Sequence, residues 1–214
     1  MGPDPELTIA LKEWAIVCAA LGDGRQSVLV RKGGIHEHRA RPSERAAERP
    51  PAGSFRLERR AFALLPTYAH AREPGRARDL IPAVHDELAA LLERAPADED
   101  RRVPLIAEVD GAWWIDARRS LDPLASTWIY SAALVDDRFA QRRPGLWLLL
   151  VRVYRLPTAA PLADLVAPAA ASGCSSWVSL TLGVSVAGAR AVIDDDTHAR
   201  RRAAIVDALG APLA

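Results

Sequence analysis

The longest uninterrupted apolar run in this chain covers only residues 146–151 and ends at Arg152. A helix that crosses a membrane needs ~20 such residues, so the run predicts a buried strand and no membrane association. A length of 214 residues is enough for one well-buried core. We therefore expect a single domain over residues 1–214.

Apolar periodicity and turn residues predict both strands and helices along the chain. Apolar residues at helical spacing with proline in the first turn predict a helix over 79–94, and three aspartates that favour a helix dipole predict a C-terminal helix over 194–210. Extended patterns predict strand or short helix at 7–20, a hairpin at 103–115 turning at Asp110-Gly111, and strands at 26–31, 55–68, 127–130, 146–156 and 176–180.

These elements favour an α+β fold with about six strands. We expect a mixed or mostly antiparallel sheet, partly curled into a barrel, with the 79–94 helix packed against it.

Charge is balanced over the whole chain and concentrated in one place. The formal net charge is +1, with 50% hydrophobic and 26% charged residues, so the composition is neither disordered nor globally attractive to nucleic acid. Residues 25–49 hold seven Arg or Lys and three Glu, a net charge of +4, and residues 36–53 read as a basic surface loop. Any surface that binds nucleic acid must therefore be local.

Cysteine use and the N-terminus favour a cytoplasmic protein. Cys18 and Cys174 are far apart and neither belongs to a CxxC pair, so no zinc knuckle or disulfide framework is predicted. The first six residues are acidic and contain two prolines, unlike the basic start of a secretory signal.

Five segments, in order and spread over most of the chain, carry a resemblance to a known family. They are residues 11–15 (LKEWA), 29–35 (LVRKGGI), 62–70 (FALLPTYAH), 150–157 (LVRVYRLP) and 173–178 (GCSSWV). Together they resemble the bacterial family catalogued as domain of unknown function 1802. The chain departs from the family pattern at Ala63, at Ala69, where a glutamate is usual, and in the longer loop 36–53.

The resemblance implies a neighbourhood of restriction or defence proteins, and hence nucleic acid as a partner, but no mechanism. The glycine turn and basic strand of residues 24–31 are also similar, more weakly, to barrel-like RNA-associated domains of the ASCH and pseudouridine-synthase–archaeosine-transglycosylase type.

The segment Arg31-Lys32-Gly33-Gly34 is the first candidate for binding. Two cations at a strand end, followed by two glycines, let side chains and backbone amides approach an anion such as phosphate. The alternative is a solvated strand end with a flexible turn. No Lys-Ser or Lys-Thr follows, so this is not a P-loop.

Two further groups are candidates for the same site. Lys12 and Glu13 are acid–base candidates if they lie in a cleft, although a structural ion pair explains them equally simply. Thr67, Tyr68 and His70 place a hydroxyl, a stacking ring and an imidazole at a strand end, which suits base recognition or proton transfer. Alternatively, the Tyr68 ring belongs to the core.

The candidates for metal binding and covalent catalysis are weaker. His36 and His38 form a pair without a nearby third ligand, helix capping explains the three aspartates at 194–196, and no motif supplies a base for Cys174. We therefore expect no metal and no cofactor.

The sequence favours a noncatalytic module that binds nucleic acid or a phosphate-bearing anion. The alternatives are a phosphoesterase or nuclease acting on nucleic acid or nucleotides, and a protein-interaction subunit with exposed Trp113 or Trp114. A restriction-type nuclease needs an acidic residue two positions before its lysine, and neither lysine of this chain has one. We expect Lys12, Glu13, Arg31, Lys32 and Tyr68 to converge on one concave surface.

Overall fold

A seven-stranded mixed sheet organises the fold in the computed structural model, which describes residues 6–32, 55, 57–167 and 175–213. The strand order is β2-β5-β4-β3-β1-β6, with β7 paired to β5, and only the β1–β3 pair is parallel. The α+β class and the mixed sheet are therefore confirmed. The strands are β1 (Glu6–Trp14), β2 (Val28–Arg31), β3 (Ala61–Thr67), β4 (Arg102–Ile115), β5 (Leu146–Pro161), β6 (Trp177–Ser185) and β7 (Arg190–Ala191).

Five α-helices and several 3-10 turns surround this sheet in the described part of the chain. The helices are α1 (Ala15–Gly22), α2 (His85–Glu93), α3 (Ala132–Ala140), α4 (Leu162–Leu165) and α5 (Asp195–Leu209). The 3-10 turns are His70–Arg72, Arg76–Asp79, Pro82–Val84, Asp98–Asp100 and Arg118–Thr127. None of the helices described combines the length and the apolarity required to cross a membrane.

Helix α1 follows β1 without a loop, so the predicted element at 7–20 is a strand and then a helix. Every residue of α1 except Ala19 is buried, which fits its apolar sequence, because a helix that is hydrophobic on all sides belongs in a core. The left-handed Gly24 (φ 69°) then turns the chain into β2.

The two faces of the sheet pack into two separate clusters. Successive side chains of a strand point to opposite faces, and β3 shows this directly. Leu64 packs in the large cluster that contains α1, whereas Ala63 and Leu65 pack in a smaller cluster with Leu162 and Leu165 of α4.

The sheet is curled but not closed, in agreement with the predicted partial barrel. Strands β2 and β6 end the hydrogen-bonded order, and among the described residues it is side chains that cap the free edge of β2. The carbonyl oxygen of Val28 accepts from Nε2 of Gln26 (2.7 Å), and that of Val30 accepts from Nη1 of Arg138 (2.6 Å). Capping of this kind blocks edge-to-edge association.

Two predicted elements at 103–115 and 127–130 are wrong. Residues 103–115 form no hairpin but lie within the continuous strand β4, where Asp110 is the extra residue of a bulge between the Val109–Val151 and Gly111–Leu150 pairs. Residues 127–130 form no strand, and Tyr130 makes only an isolated bridge with Leu80.

The helix predicted over 79–94 starts late. Ile81 precedes a proline, whose ring disfavours a helical backbone in the residue before it, and Ile81 is accordingly extended (φ −64°, ψ 145°). Helix α2 therefore begins only at His85. A 3-10 turn (Pro82–Val84) fills the interval.

Helix α5 is fixed to the sheet by charged contacts at its start and an indole at its end. The Asp194 carboxylate accepts from the Thr197 amide (2.6 Å), which makes Asp194 the N-cap. Arg152 on β5 donates to Asp195 (2.6 Å), and the Trp113 indole donates to the Gly210 carbonyl (2.8 Å).

Candidate functional site

A buried ion pair joins Arg31 on β2 to Glu13 on β1. Arg31 Nη1 donates to Glu13 Oε2 (3.0 Å) and lies 3.4 Å from the Lys12 carbonyl oxygen, while Glu13 Oε1 accepts from the Trp14 amide (2.9 Å). The exposed fraction of the side chain is 1% for Glu13 and 11% for Arg31. The pair therefore links two strands that share no ladder in the sheet.

A row of aromatic rings continues from Arg31 towards β6. The guanidinium carbon of Arg31 lies 5.2 Å from the Phe55 ring centroid, and Phe55 stacks on Trp177 at 5.7 Å. The Phe55 amide also donates to the Lys32 carbonyl (3.1 Å). We call Glu13, Arg31, Phe55 and Trp177 the seam, because their side chains bridge the two ends of the open sheet.

Lys32 points away from the seam towards the end of α3. Its ammonium donates to the carbonyl oxygens of Phe139 (3.1 Å), Arg143 and Gly145, so its three N–H groups match three acceptors. A cation is favourable at a helix C-terminus. Burial, and then the charge of Arg142, lower the pKa of Lys32. In this arrangement, carbonyl groups of the protein accept all three N–H groups of the ammonium.

Tyr130 and Arg138 lie beside the seam, and sequence reasoning missed both. The Arg138 guanidinium carbon lies 5.3 Å from the Tyr130 ring centroid and 6.0 Å from that of Trp14. The Tyr130 hydroxyl is buried beside the side chain of Gln26. Burial, and then the Glu13 charge, raise the pKa of Tyr130.

A second group of polar side chains lies where β3 ends. Tyr68 is half-buried, and burial raises the pKa of its phenol, as does Cys18 to a smaller extent. Arg101 and Arg72 oppose that increase, so both guanidinium groups lie within electrostatic reach of the phenol. We call Tyr68, Arg72 and Arg101 the β3-end surface. The sequence analysis did not include Arg72. Its position two residues after His70 was the signal that could have placed it in the candidate site.

The structure divides the residues predicted to share one site. Glu13 and Arg31 meet at the seam, and the Thr67 hydroxyl donates to the Glu13 carbonyl (3.1 Å). Lys12 is half-buried and precedes Glu13 in β1, so its side chain leaves the opposite face of the sheet. Lys32 turns to α3, and Tyr68 belongs to the β3-end surface.

The remaining predicted residues give no side-chain geometry. His70 begins a 3-10 turn, but its side chain lies outside the described part of the structure, as do Gly33, Gly34 and the loop 36–53. An anion-binding role for the predicted set stays a prediction.

Other chemical candidates find little support among the described residues. No group of three or more His, Cys, Asp or Glu side chains there is arranged to hold a metal ion. Cys18 is buried, and desolvation raises the pKa of its thiol. The expectation that Trp113 is exposed is wrong, because the side chain is 3% exposed and packs over Gly111. His36, His38 and Cys174 lie outside the described residues.

Comparison with known proteins identifies a family and a distant structural similarity. No curated protein matches the sequence. The crystal structure of ASCH from Zymomonas mobilis is 12% identical, covering 74% of this chain and 71% of that one, with a TM-score of 0.36.

A mutant form of the same Zymomonas mobilis protein is 11% identical, covering 72% and 76% of the two chains, with a TM-score of 0.37. Similarity this low transfers neither a site nor an activity. Residues 10–204, nearly the whole chain, match a single family, and the protein therefore belongs to the family described as Domain of unknown function (DUF1802).

Proposed function

We propose that this protein is a binding module for single-stranded nucleic acid and that the β3-end surface makes the contact. The observation that carries the proposal is the half-buried Tyr68 phenol, whose backbone carbonyl accepts from the Arg72 amide (3.3 Å) and which lies within electrostatic reach of Arg72 and Arg101. Proteins that bind single strands combine cations that follow the phosphates with aromatic rings on which bases stack. Tyr68 supplies the ring, and the exposed Arg72 supplies positive charge beside it.

The availability of charge favours this surface over the seam. The chain has a net charge of only +1, so attraction to phosphate must come from a local cluster. Arg72 is exposed and forms no ion pair with a described acidic residue. Arg31, by contrast, is paired with buried Glu13, and the Lys32 ammonium is held by backbone carbonyls.

Fluorescence anisotropy with labelled single strands of about 12 nucleotides, RNA and DNA, tests the proposal in EDTA. We expect weak binding that falls between about 50 mM and 200 mM salt, because each phosphate contact releases a counterion. Arg72→Glu should weaken binding at least about fivefold at the lower salt. Tyr68→Ala should cost about 1 kcal/mol or more of binding free energy through lost stacking.

The matched control is Arg119→Glu, which makes the same charge change at another exposed arginine. Circular dichroism must show that each variant is folded. Equal effects of Arg72→Glu and Arg119→Glu would show that binding is not located at the β3-end surface. No binding of either polymer at low salt would reject the proposed function.

Incubating the same strands with magnesium in place of EDTA, together with a search for a stable protein partner, separates the two alternative classes. Magnesium-dependent cleavage of the strands would favour a phosphoesterase or nuclease. A stable protein partner without strand binding would favour an interaction subunit. A cytoplasmic location, a bacterial origin and an association with restriction or defence proteins remain expectations from the sequence.

A further inference from the structure

Two exposed arginines stand directly opposite each other on neighbouring strands. Arg155 of β5 and Arg190 of β7 are partners in the antiparallel ladder that joins these strands. Directly opposed side chains share one face of the sheet, with Cβ atoms about 5 Å apart, so like charges in such a pair repel. The ladder has only two residue pairs, and one of them contains this repulsion. An anion held between the two guanidinium groups would relieve it.

The described side chains around this arginine pair do not neutralise it. On the same face, the neighbouring residues of the two strands are apolar: Val153, Pro157, Gly188 and Val192. Arg155 donates through Nη2 to the Gly22 carbonyl (2.6 Å) at the end of α1, which occupies one nitrogen of its guanidinium. No carboxylate of a described residue forms an ion pair with Arg155 or Arg190, and Asp23, which follows Gly22, pairs with Arg25 (3.4 Å).

The arginine pair lies on the same face of the sheet as Tyr68. One row of directly opposed residues crosses four strands and consists of Leu64, Leu105, Arg155 and Arg190. The two leucines of this row pack in the large cluster that contains α1. Tyr68 follows Leu64 by four residues, so alternation along β3 directs its side chain to this face as well.

Helix α1 gives independent evidence for this arrangement. The Tyr68 phenol lies within electrostatic reach of Cys18, and Arg155 contacts Gly22, four residues and about 6 Å further along the helix. Strands about 4.8 Å apart, with about 3.3 Å per residue, place the two arginines about 16–19 Å from Tyr68. A single strand can cover such a span, since sites for single strands hold about 4–16 nucleotides.

We propose that Arg155 and Arg190 bind a second phosphate of the single strand that stacks on Tyr68, so that the strand passes beside α1 from the β3-end surface to β7. This inference rests on the proposed function and adds the direction and the extent of the bound strand. Two guanidinium groups that share one phosphate no longer repel each other, and their planar donor edges match the phosphate oxygens.

Fluorescence anisotropy in EDTA with the labelled strands of about 12 nucleotides tests this path. Arg190→Glu should weaken binding at least about threefold at about 50 mM salt and reduce the slope of log affinity against log salt by about 0.7, as for one lost phosphate contact. Arg190→Gln, which introduces no new ion pair with Arg155, should give a smaller loss in the same direction. The matched control is Arg119→Glu, which should have less effect than Arg190→Glu.

Folding and binding should respond to Arg190→Glu in opposite directions. The variant places opposite charges across the β5–β7 ladder, so it should unfold at the same temperature as the unaltered protein or higher. Weaker strand binding by this variant is therefore not a loss of folding.

The outcomes separate this path from the proposed function. The path is overturned if Arg190→Glu binds the strands undiminished, or loses no more affinity than Arg119→Glu, while Tyr68→Ala and Arg72→Glu still weaken binding. The β3-end surface would then remain as the contact. No binding of either polymer by the unaltered protein would overturn both.

Discussion

The guanidinium of Arg31 and the carboxylate of Glu13 lie 3.0 Å apart across the open side of the sheet. Strand β2 ends the hydrogen-bonded order at one side, and β1 is next to last at the other, so no ladder connects them. The ion pair therefore holds together two parts of the sheet that backbone hydrogen bonds leave separate. Its burial makes each partner dependent on the other.

Glu13→Gln should lower the free energy of unfolding by about 3 kcal/mol, because it leaves the Arg31 charge buried without its carboxylate. Urea denaturation measures the loss. The double variant Glu13→Met with Arg31→Met removes both charges and should recover most of the stability. A Glu13→Gln variant within about 0.5 kcal/mol of the unaltered protein would mean that the pair is not important for stability.

Lys32→Arg should destabilise the protein by about 1 kcal/mol or more although the charge is retained. The ammonium directs three N–H groups to three carbonyl oxygens, and a planar guanidinium cannot reproduce that geometry. Lys32→Met should cost more, since it leaves the carbonyls at the end of α3 without a donor. Thermal and urea unfolding give the order of stability.

The matched control is Lys12→Arg, at the other lysine of the chain, which is half-buried on β1. We expect it to cost less than Lys32→Arg, because an arrangement of three carbonyl oxygens around one ammonium is the one that a planar guanidinium reproduces worst. If Lys12→Arg and Lys32→Arg lower the free energy of unfolding equally, the carbonyl contacts of Lys32 do not contribute specifically to stability.

The strands that could be predicted are those with strong apolar runs or clear alternation. Residues 146–156 lie within β5, and 26–31 contain β2, because such segments gain most by burial in a sheet whatever their neighbours. Asp110-Gly111 was misread because an Asp-Gly pair serves a bulge as well as a hairpin turn. What decides between them is the partner strand β5, which sequence alone does not position.

The candidate site was harder to predict than the fold, for two different reasons. Lys12 and Glu13 are consecutive in a strand, so alternation already places them on opposite faces and a common site was not to be expected. The meeting of Tyr130 and Arg138 with Glu13 and Arg31 depends on how the sheet curls. No local pattern encodes that contact, because the residues come from four separate parts of the chain.

Tyr130→Phe should make the protein more resistant to alkaline unfolding. Burial raises the pKa of Tyr130 above its usual value of about 10, so the folded state holds this proton where the unfolded state releases it. Stability from this group is complete below about pH 10 and is lost as the pH rises further. Above that pH the unaltered protein should lose up to about 1.4 kcal/mol per pH unit more than the variant.

Urea titrations between about pH 9 and pH 11.5 give the two slopes. Tyr68 and Cys18 also have raised pKa values, but both are present in each protein and cancel in the comparison. Parallel slopes would show that the Tyr130 hydroxyl is not buried as the structure describes.

Gly111→Ala should destabilise the protein by about 1–3 kcal/mol through a clash rather than through backbone strain. A Cβ at this position would lie 2.5 Å and 2.8 Å from two ring carbons of Trp113 and 3.4 Å from Pro212 Cβ. The indole cannot easily move aside, because it is 3% exposed and donates to the Gly210 carbonyl at the end of α5. Tryptophan fluorescence and urea denaturation would report the displacement and its cost.

A double-variant cycle with Trp113→Phe isolates the clash from other effects of the alanine. The smaller ring loses the outer carbons that the new methyl group would meet, so Gly111→Ala should be less costly in the Trp113→Phe background. We expect a coupling free energy of about 1 kcal/mol, as is usual for residues in direct contact. Equal costs in both backgrounds would mean that the space above Gly111 is not set by Trp113, and the glycine would then be required by the bulge at Asp110.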